Sequence, residues 1–242
     1  MFTALKSIYR KQQFSPGLFG LFVNPFYFAR KGLYLHISSL AAQISGRTLD
    51  VGCGQKPYEH LCRSSSYIGL EIDTPENRTN KKADYYYDGI HFPFGAKEFD
   101  SVISNQVFEH VFTPDLFLLE IFRVLKDDGI LLLTVPFVWD EHEQPHDFAR
   151  YSSFGLRALL QNNGFVIVDQ RKSINDIRCI FQLINDYIYK KTVSRNRYLN
   201  LLVMLSCMMP VNVIGELLSK IFPSNDDLYL DNIVLARKVK TR

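Results

Sequence analysis

Residues 140–152, DEHEQPHDFARYS, concentrate side chains that can move protons or bind a metal ion: two histidines, four carboxylates, an arginine and a tyrosine. His142 and His146 stand four positions apart, but Pro145 interrupts any helix between them, so the two rings need not face one metal ion. We therefore expect no metal site. Histidine acts as a general base near neutral pH when a carboxylate orients its ring. On this ground His142 and His146 are the candidate catalytic residues.

The carboxylates of this segment admit two interpretations. Glu143 or Asp147 could orient the catalytic histidine. Alternatively, Asp147 pairs with Arg150, Tyr151 packs, and Ser152 starts a helix. We favour the structural interpretation for Asp147, Arg150 and Tyr151. The first half of the segment is then expected to meet the substrate, and the second half to form the wall of the site.

A glycine turn at residues 48–58, TLDVGCGQKPY, predicts a ligand site between a strand and a helix that begins near Pro57. Gly52 and Gly54 allow the backbone to approach a ligand closely. Cys53 is a small residue whose backbone can touch the ligand, and no neighbouring residue marks it as a nucleophile. The turn therefore predicts binding and no thiol chemistry.

Two acidic residues are placed to recognise that ligand. Asp50 ends the first strand, and Glu71 ends the second strand twenty-one residues later, at the spacing typical of an acidic residue that binds ribose hydroxyls. A dinucleotide fingerprint would have a third small residue where this chain has Pro57. The pattern therefore favours a nucleoside joined to a charged amino acid, with Asp50 attracting an ammonium group, over a nicotinamide dinucleotide.

The elements that must position these residues alternate between short apolar strands and helices. Strands are predicted at residues 47–52, 67–73, 99–105, 129–137 and 164–170. Helices are predicted at residues 24–44, at 114–126, and from Ser152 or Ser153 to Gly164. Several strands are apolar on both faces, as in a parallel sheet covered by helices. We therefore predict a doubly wound α/β fold.

The alternation stops after residue 173, and a helical insertion is predicted before a last strand at 228–239. The predicted organisation is a helical cap at 1–46, a core at 47–173, the insertion at 174–227, and the last strand of the core at 228–242. The first insertion helix has a 3.6-residue period and is predicted to be amphipathic, with one apolar face composed of Ile177, Ile180, Phe181, Ile184, Tyr187 and Ile188.

Residues 198–215 form a run of eighteen residues without a charge. This length only just reaches that of a membrane span, and two asparagines and Pro210 argue against one. We expect a hydrophobic lid over the active site or a homodimer surface. The alternative is a shallow, peripheral membrane-facing surface that serves a lipid-linked substrate.

The composition limits the classes of partner. Lysine and arginine number 28 against 25 aspartates and glutamates, and no basic block interleaved with aromatic residues is present, so nucleic acid is not an expected partner. The four cysteines form no CxxC pair, which indicates reduced thiols. No apolar signal segment with a cleavage site is visible near the N-terminus. We therefore expect a cytoplasmic protein.

Five segments, taken in order, resemble the motifs of class I S-adenosylmethionine-dependent methyltransferases, especially the small-molecule branch that includes quinone-biosynthesis and bacterial sugar-modifying enzymes. The segments are LDVGCG, YIGLEID, DGIHFPFGAKEFD, SNQVFEHV and LLEIFRVLKDDGILLLTVP. The likeness extends from about residue 24 to residue 169. Glu71 stands where the family more commonly has aspartate.

The resemblance implies S-adenosylmethionine as the cofactor and assigns its contacts. The implied cofactor-binding residues are Arg30, Asp50, Gly52, Cys53, Gly54, Glu71, Ile72, Asp88, Gly89, Asn105 and Gln106. Glu71 would bind the ribose, Asp88 the adenine amino group, and Asn105 and Gln106 would lie beside the methionine moiety. Arg30 could pair with the cofactor carboxylate, or it could belong to a solvated helix face.

The resemblance also implies a seven-stranded, mainly parallel sheet whose last strand is antiparallel, with the cofactor at the carboxyl ends of the strands. The expected reaction is methyl transfer to a hydroxyl, or else an amine, of a small molecule or a sugar-containing or lipid-linked intermediate. Two other classes stay open at this point: a nicotinamide-dependent oxidoreductase, and a non-catalytic protein that keeps a nucleoside pocket.

Overall fold

Seven strands form a single sheet in the computed structural model, which describes residues 12–239. The strands are β1 Ser45–Val51, β2 Arg63–Ile72, β3 Tyr85–Tyr87, β4 Phe99–Asn105, β5 Leu125–Pro136, β6 Phe165–Ser173 and β7 Asp231–Lys238. Their order is β3-β2-β1-β4-β5-β7-β6, and the four pairs from β3 to β5 are parallel. The carboxyl ends of β1 to β5 therefore lie along one edge.

Seven helices accompany the strands in the described part of the chain, and some of them begin at a capping side chain. They are α1 Gly20–Val23, α2 Tyr27–Leu40, α3 Pro75–Asn80, α4 Pro114–Val124, α5 Ser153–Asn162, α6 Arg178–Thr192 and α7 Arg197–Leu218. Ser152 caps α5, since its hydroxyl accepts a hydrogen bond from the Gly155 amide at 3.2 Å. Gly164 follows that helix with a φ of +84°, a conformation that glycine adopts readily.

The prediction of a doubly wound α/β fold is confirmed. The six predicted strands correspond to β1, β2, β4, β5, β6 and β7. The apolar runs that predicted them supply many of the side chains that fill the core beside the sheet. Leu131 and Leu133 of β5 and Val102 of β4 are fully buried examples. The seven-stranded sheet that the family resemblance implied is also present.

Two details of the sheet region differ from the expectations. β3 was not predicted as a strand, because its three tyrosines show no alternation and are followed directly by a turn signal. The helix expected after Gly54 is absent: the connection to β2 contains only a single 3₁₀ turn, Glu59–Leu61. Only eight residues separate Gly54 from Arg63, and Lys56 among them has a φ of +53°, which no helix tolerates.

The chain divides into two compact units. Of the described residues, unit 1 comprises 12–35, 138–140 and 172–231, and unit 2 comprises 36–137, 141–171 and 232–239. Unit 2 contains β1 to β5 and most of β6 and β7, with the main hydrophobic core. Unit 1 contains α1, most of α2, α6 and α7, with a smaller core that includes Tyr27, Phe28 and Leu230.

The apolar face predicted for α6 is only partly buried. Ile180, Ile184 and Tyr187 of that face are 42%, 41% and 66% exposed. The buried positions of this helix are Cys179, Gln182, Asn185 and Asp186. Gln182 accepts hydrogen bonds from the amides of Phe28 and Ala29, and Asn185 donates to Asn212, so these polar side chains have partners inside unit 1.

Candidate active site

Asp50 lies at the carboxyl end of β1 and is buried. Gly69 of β2 and Ile103 of β4 are its neighbours across the sheet. The Tyr67 hydroxyl donates a hydrogen bond of 2.8 Å to Oδ2 of Asp50. Burial raises the pKa of Asp50 to about 7, although the hydrogen bond from Tyr67 opposes the shift. A cation bound beside this carboxyl group would favour its ionised form.

The raised pKa gives a first testable prediction for a ligand that carries an ammonium group, such as S-adenosylhomocysteine. Only the ionised carboxylate attracts the ammonium, so affinity should rise as the pH rises towards and through about 7. We expect roughly eightfold tighter binding at pH 7.5 than at pH 6, with proton release at the lower pH. Titration calorimetry in buffers of different ionisation enthalpy measures both quantities.

The matched control is Asp50→Asn, which keeps the shape of the side chain and removes its titration. That variant should bind more weakly and should show little change of affinity between the same two pH values. An unchanged pH dependence in this variant would assign the effect to another group.

The glycine turn is held by its own backbone. Gly52 and Gly54 have φ values of +72° and +52°. The amides of Gly52 and Cys53 both donate to the Leu70 carbonyl, at 2.8 Å and 3.3 Å. The amide of Gly54 donates to Oε1 of Glu71 at 2.7 Å. These bonds fix the end of β1 against the end of β2.

The surroundings of the turn fit a bound nucleoside with an ammonium group. A Cβ added to Gly54 would meet no atom within 4 Å, whereas one added to Gly52 would lie 2.2 Å from Cγ2 of Val107. The turn is therefore packed against protein on one side and open on the other. Burial raises the pKa of Glu71, and the hydrogen bond from Gly54 opposes this shift. The carboxylates of Asp50 and Glu71 thus provide acceptors for ammonium and hydroxyl donors at adjacent strand ends.

Asp88 stabilises the loop that follows β3. Its Oδ1 accepts hydrogen bonds from the amides of Ile90 and His91, at 2.8 Å and 2.7 Å, and Oδ2 lies 3.1 Å from Nδ1 of His91. The hydrogen bond from the His91 amide is the largest cause that lowers the pKa of Asp88 to about 2. Gly89 has a φ of +91° and open space around its Cα. Adenine binding by Asp88 stays a prediction, and the loop role is what its contacts support.

Asn105 and Gln106 end β4 and are tied to Thr134 of β5. The Thr134 hydroxyl donates to Oδ1 of Asn105 at 2.7 Å. The Gln106 amide donates to the Thr134 carbonyl at 3.0 Å, with a left-handed φ of +54° at Gln106. The sequence motif does not reveal Thr134, although its position next to Asn105 follows from the pairing of β4 with β5.

Three further residues that the resemblance assigns to the cofactor differ in exposure and in their contacts. Ile72 ends β2 and is 42% exposed, as expected for a residue that lines an open site. Burial raises the pKa of the Cys53 thiol to about 12, so this residue is not a nucleophilic thiolate. Arg30 belongs to unit 1, where its guanidinium lies 5.1 Å from the Phe14 ring centroid. Its contact with the cofactor stays a prediction.

The loop after β5 brings His142 and Asp147 together. Oδ2 of Asp147 lies 3.3 Å from Nδ1 of His142 and accepts the His142 backbone amide at 2.9 Å. Arg150 donates two hydrogen bonds to the same carboxylate, at 2.6 Å and 2.7 Å. Burial acts against ionisation, but these bonds outweigh it and lower the pKa of Asp147 to about 2. Asp147 therefore pairs with Arg150, as predicted, and also lies beside His142; its role in orienting a catalytic base stays a prediction.

Glu109 and His110 lie beside His142, and sequence reasoning did not include them in the site. Oε1 of the fully buried Glu109 lies 3.8 Å from Nε2 of His110 and 3.8 Å from Nε2 of His142. The three residues each offer one ligand atom within 4.8 Å of the others, a donor set that suits a divalent cation. The signal for Glu109 was its position after β4, the strand that pairs with β5.

His146 lies apart from this cluster. Its side chain is exposed, its ring centroid lies 6.3 Å from that of Phe148, and its carbonyl accepts a hydrogen bond of 2.7 Å from Nδ1 of His110. Tyr151 stacks on Phe108 with ring centroids 5.1 Å apart. The packing predicted for the second half of the loop is confirmed. Of the two candidate bases, His142 has the orienting carboxylate.

Comparison with known proteins identifies the sheet unit. Residues 49–133 match the family described as "Methyltransferase domain". An uncharacterized protein of Methanocaldococcus jannaschii is 35% identical over 97 residues, which make up 38% of this chain and 38% of that protein. The alignment thus spans well under half the length of that curated relative.

Three solved structures share the fold. The [4+2]-cyclase SpnF has a TM-score of 0.55 at 18% identity, covering 87% of this chain and 82% of its own. Phosphoethanolamine N-methyltransferase 2 of Haemonchus contortus, in complex with S-adenosyl-L-methionine, has a TM-score of 0.54 at 16% identity, covering 91% and 55%. An S-adenosylmethionine-dependent methyltransferase from Mesorhizobium loti has a TM-score of 0.51 at 11% identity, covering 87% and 100%.

The strand order, the glycine turn between two acidic strand ends and the family match over residues 49–133 agree with one another. Residues 49–133 thus match the methyltransferase-domain family, and the sheet around them has the fold of class I S-adenosylmethionine-dependent methyltransferases.

Proposed function

We propose that this protein transfers a methyl group from S-adenosylmethionine to a hydroxyl group of a small molecule or of a sugar-containing or lipid-linked intermediate. The observation that carries the choice of a hydroxyl is the pair formed by His142 and Asp147, 3.3 Å apart at the site edge of the sheet. A hydroxyl acceptor has to lose a proton during methyl transfer, and an oriented imidazole can accept it.

The geometry supports this role for His142. If Nδ1 donates its proton to Asp147, the lone pair is on Nε2, which is then the proton-accepting nitrogen. The His142 side chain is 28% exposed, so a substrate can reach it, whereas the Asp147 side chain is only 3% exposed. Asp147 stays ionised through its bonds to Arg150 and stabilises the imidazolium that forms.

The remaining site residues would bind the cofactor and position it for methyl transfer. The bound cofactor supplies an electrophilic methyl group on sulfur, which is transferred by in-line displacement, so positioning contributes much of the rate. Asp50 and Glu71 would hold the ammonium and the ribose at the two strand ends. Asn105 and Gln106, fixed by Thr134, would border the methionine moiety.

The proposed reaction is tested by comparing metabolites of cells with and without the protein by mass spectrometry. We expect a pair of metabolites that differ by one methylene group, and label from a methyl-tritiated donor in the heavier one. Cofactor binding without any labelled product in cell extracts would instead indicate a non-catalytic protein. The fold also occurs in proteins whose described activity is not methyl transfer, since it is shared with a protein described as a cyclase.

A chelator separates the base mechanism from a metal-assisted one. Glu109, His110 and His142 could together hold a divalent cation that lowers the pKa of the acceptor hydroxyl. If His142 is the base, dialysis against excess chelator should leave the initial rate within about twofold of its starting value. A loss of more than tenfold that zinc or magnesium restores would assign His142 to a metal site instead.

A further inference from the structure

The helices of unit 1 bury polar side chains and expose apolar ones. Gln182 of α6 accepts hydrogen bonds from the amides of Phe28 and Ala29, at 3.1 Å and 3.2 Å. Asn185 of α6 donates to Oδ1 of Asn212 on α7 at 2.8 Å. Gln182, Asn185 and Asn212 are all fully buried. A helix of a water-soluble domain normally turns its apolar stripe inward, so this arrangement is reversed.

The outer face of α7 is also apolar and exposed. Tyr198, Leu201, Leu202 and Leu205 follow the i, i+3, i+4, i+7 spacing of one helix face and are 68%, 51%, 62% and 42% exposed. The opposite side of the helix holds Met204, Met208, Asn212 and Gly215, which are buried. Only 22% of the most apolar 18-residue window of this helix is buried, so α7 is not a core helix.

An apolar groove adjoins this face within unit 1. Its volume is about 580 Å³, and the side chains lining it include Phe19, Val193, Tyr198, Leu201 and Met204. Phe19, Val193 and Leu201 are each at least half exposed, so the groove opens directly onto the outer face of α7. We call the outer face of α7 together with Phe19 and Val193 the apolar patch.

Basic residues predominate in the segment that carries most of the apolar patch. Residues 187–215 contain four basic residues and no acidic one. Lys191, Arg195 and Arg197 are exposed, and Lys190 is exposed and pairs with Asp140. A basic border around exposed leucines is the combination that binds anionic lipid headgroups while apolar side chains enter the acyl boundary.

We propose that unit 1 docks on an anionic membrane surface through the apolar patch and its basic border. Docking is peripheral, because Met208 and Asn212 on the other side of α7 are buried inside unit 1. A second copy of the chain is a poorer partner, since both contacting faces would then carry the same basic border. The inference goes beyond the proposed function, because docking requires neither cofactor nor methyl transfer.

Vesicle flotation of the full chain, without cofactor, tests the proposal. We expect binding to phosphatidylcholine vesicles that contain about one third phosphatidylglycerol, and much weaker binding to pure phosphatidylcholine. Leu201→Glu with Leu202→Glu should lower binding at least about tenfold. Arg195→Gln with Arg197→Gln should lower it by about fivefold per charge on the anionic vesicles.

The control is Phe154→Glu, which places one such negative charge on an apolar residue that is 80% exposed in unit 2. This variant should float like the wild type, and circular dichroism should show every variant folded. Absence of flotation in the wild type would overturn the proposal, as would an equal loss in the Phe154 variant. If the wild type does not float and the Leu201, Leu202 variant converts a dimer to a monomer in sedimentation velocity, the patch joins two copies and the proposal is wrong.

Discussion

Gly52→Arg should weaken S-adenosylhomocysteine binding by about a thousandfold or more, equivalent to about 4 kcal/mol. A Cβ at this position would lie 2.2 Å from Cγ2 of Val107, closer than any real contact. The φ of +72° at Gly52 adds backbone strain for any other residue. The turn would have to move, and with it the Gly54 amide that holds Glu71. Titration calorimetry measures the loss directly.

Because Gly52→Arg can also unfold the chain, a second variant keeps the site assignment testable. Gly54 has a φ of +52° and no atom within 4 Å of an added Cβ. Gly54→Val should therefore stay folded at a cost of about 1–2 kcal/mol, while its side chain enters the space assigned to the cofactor. We expect at least about tenfold weaker binding in this variant. If folded Gly54→Val bound S-adenosylhomocysteine with wild-type affinity, the cofactor would not bind at this turn.

A double substitution checks whether the clash with Val107 is the cause. Gly52→Ala alone should destabilise the chain, and Gly52→Ala combined with Val107→Ala should recover part of the loss, since the contacting methyl group is gone. Chemical denaturation of the two single variants and the double variant gives the coupling free energy. A coupling near zero would show that backbone strain, and not the contact with Val107, sets the cost.

Much of the sheet could be predicted from the sequence because the central strands carry their own signal. β4 and β5 are apolar on both faces and are bounded by turn residues, so the length and composition of these segments were enough to predict them as strands. β3 could not be found in this way: it has only three residues and is specified by its pairing with β2, which is a tertiary contact. The missing helix after Gly54 reflects a short connection that the glycine motif does not encode.

The candidate site was predictable where a motif fixes backbone conformation. Gly52 and Gly54 are such positions, and Glu71 at the end of the next strand accepts a hydrogen bond from the Gly54 amide. Glu109 could not be assigned, because its approach to His142 depends on how two loops from neighbouring strands fold over one another. Side-chain pairs between loops are set by tertiary structure, and a single sequence contains no periodic signal for them.

The partly exposed apolar face of α6 has a specific physical reason. Periodicity identifies the apolar stripe of this helix but not the surface that the stripe contacts. In unit 1 the inward positions are taken by Gln182 and Asn185, which bond to the amides of Phe28 and Ala29 and to Asn212. These are tertiary contacts, for which the sequence has no periodic signal.

His142→Gln should lower kcat by about a hundredfold to a thousandfold and leave S-adenosylhomocysteine affinity within about twofold. Glutamine preserves polarity and approximate size but cannot accept and pass on a proton at neutral pH. His142 lies at the substrate side of the loop and Asp50 and Glu71 are left intact, so the cofactor residues are not disturbed. The measurement is initial rate at saturating cofactor, made once the acceptor is known, beside calorimetry of the same preparation.

Asp147→Asn distinguishes the positioning role of the carboxylate from a purely structural one. An amide at position 147 still bonds with Arg150, but it no longer stabilises an imidazolium at His142, 3.3 Å away. We expect kcat to fall by about tenfold or more with KM nearly unchanged. His146→Gln is the matched control, because that exposed ring lies outside the cluster, and it should retain most of the activity. A larger loss for the His146 variant than for the His142 variant would place the base on the other histidine, and the oriented pair would then have only a structural role.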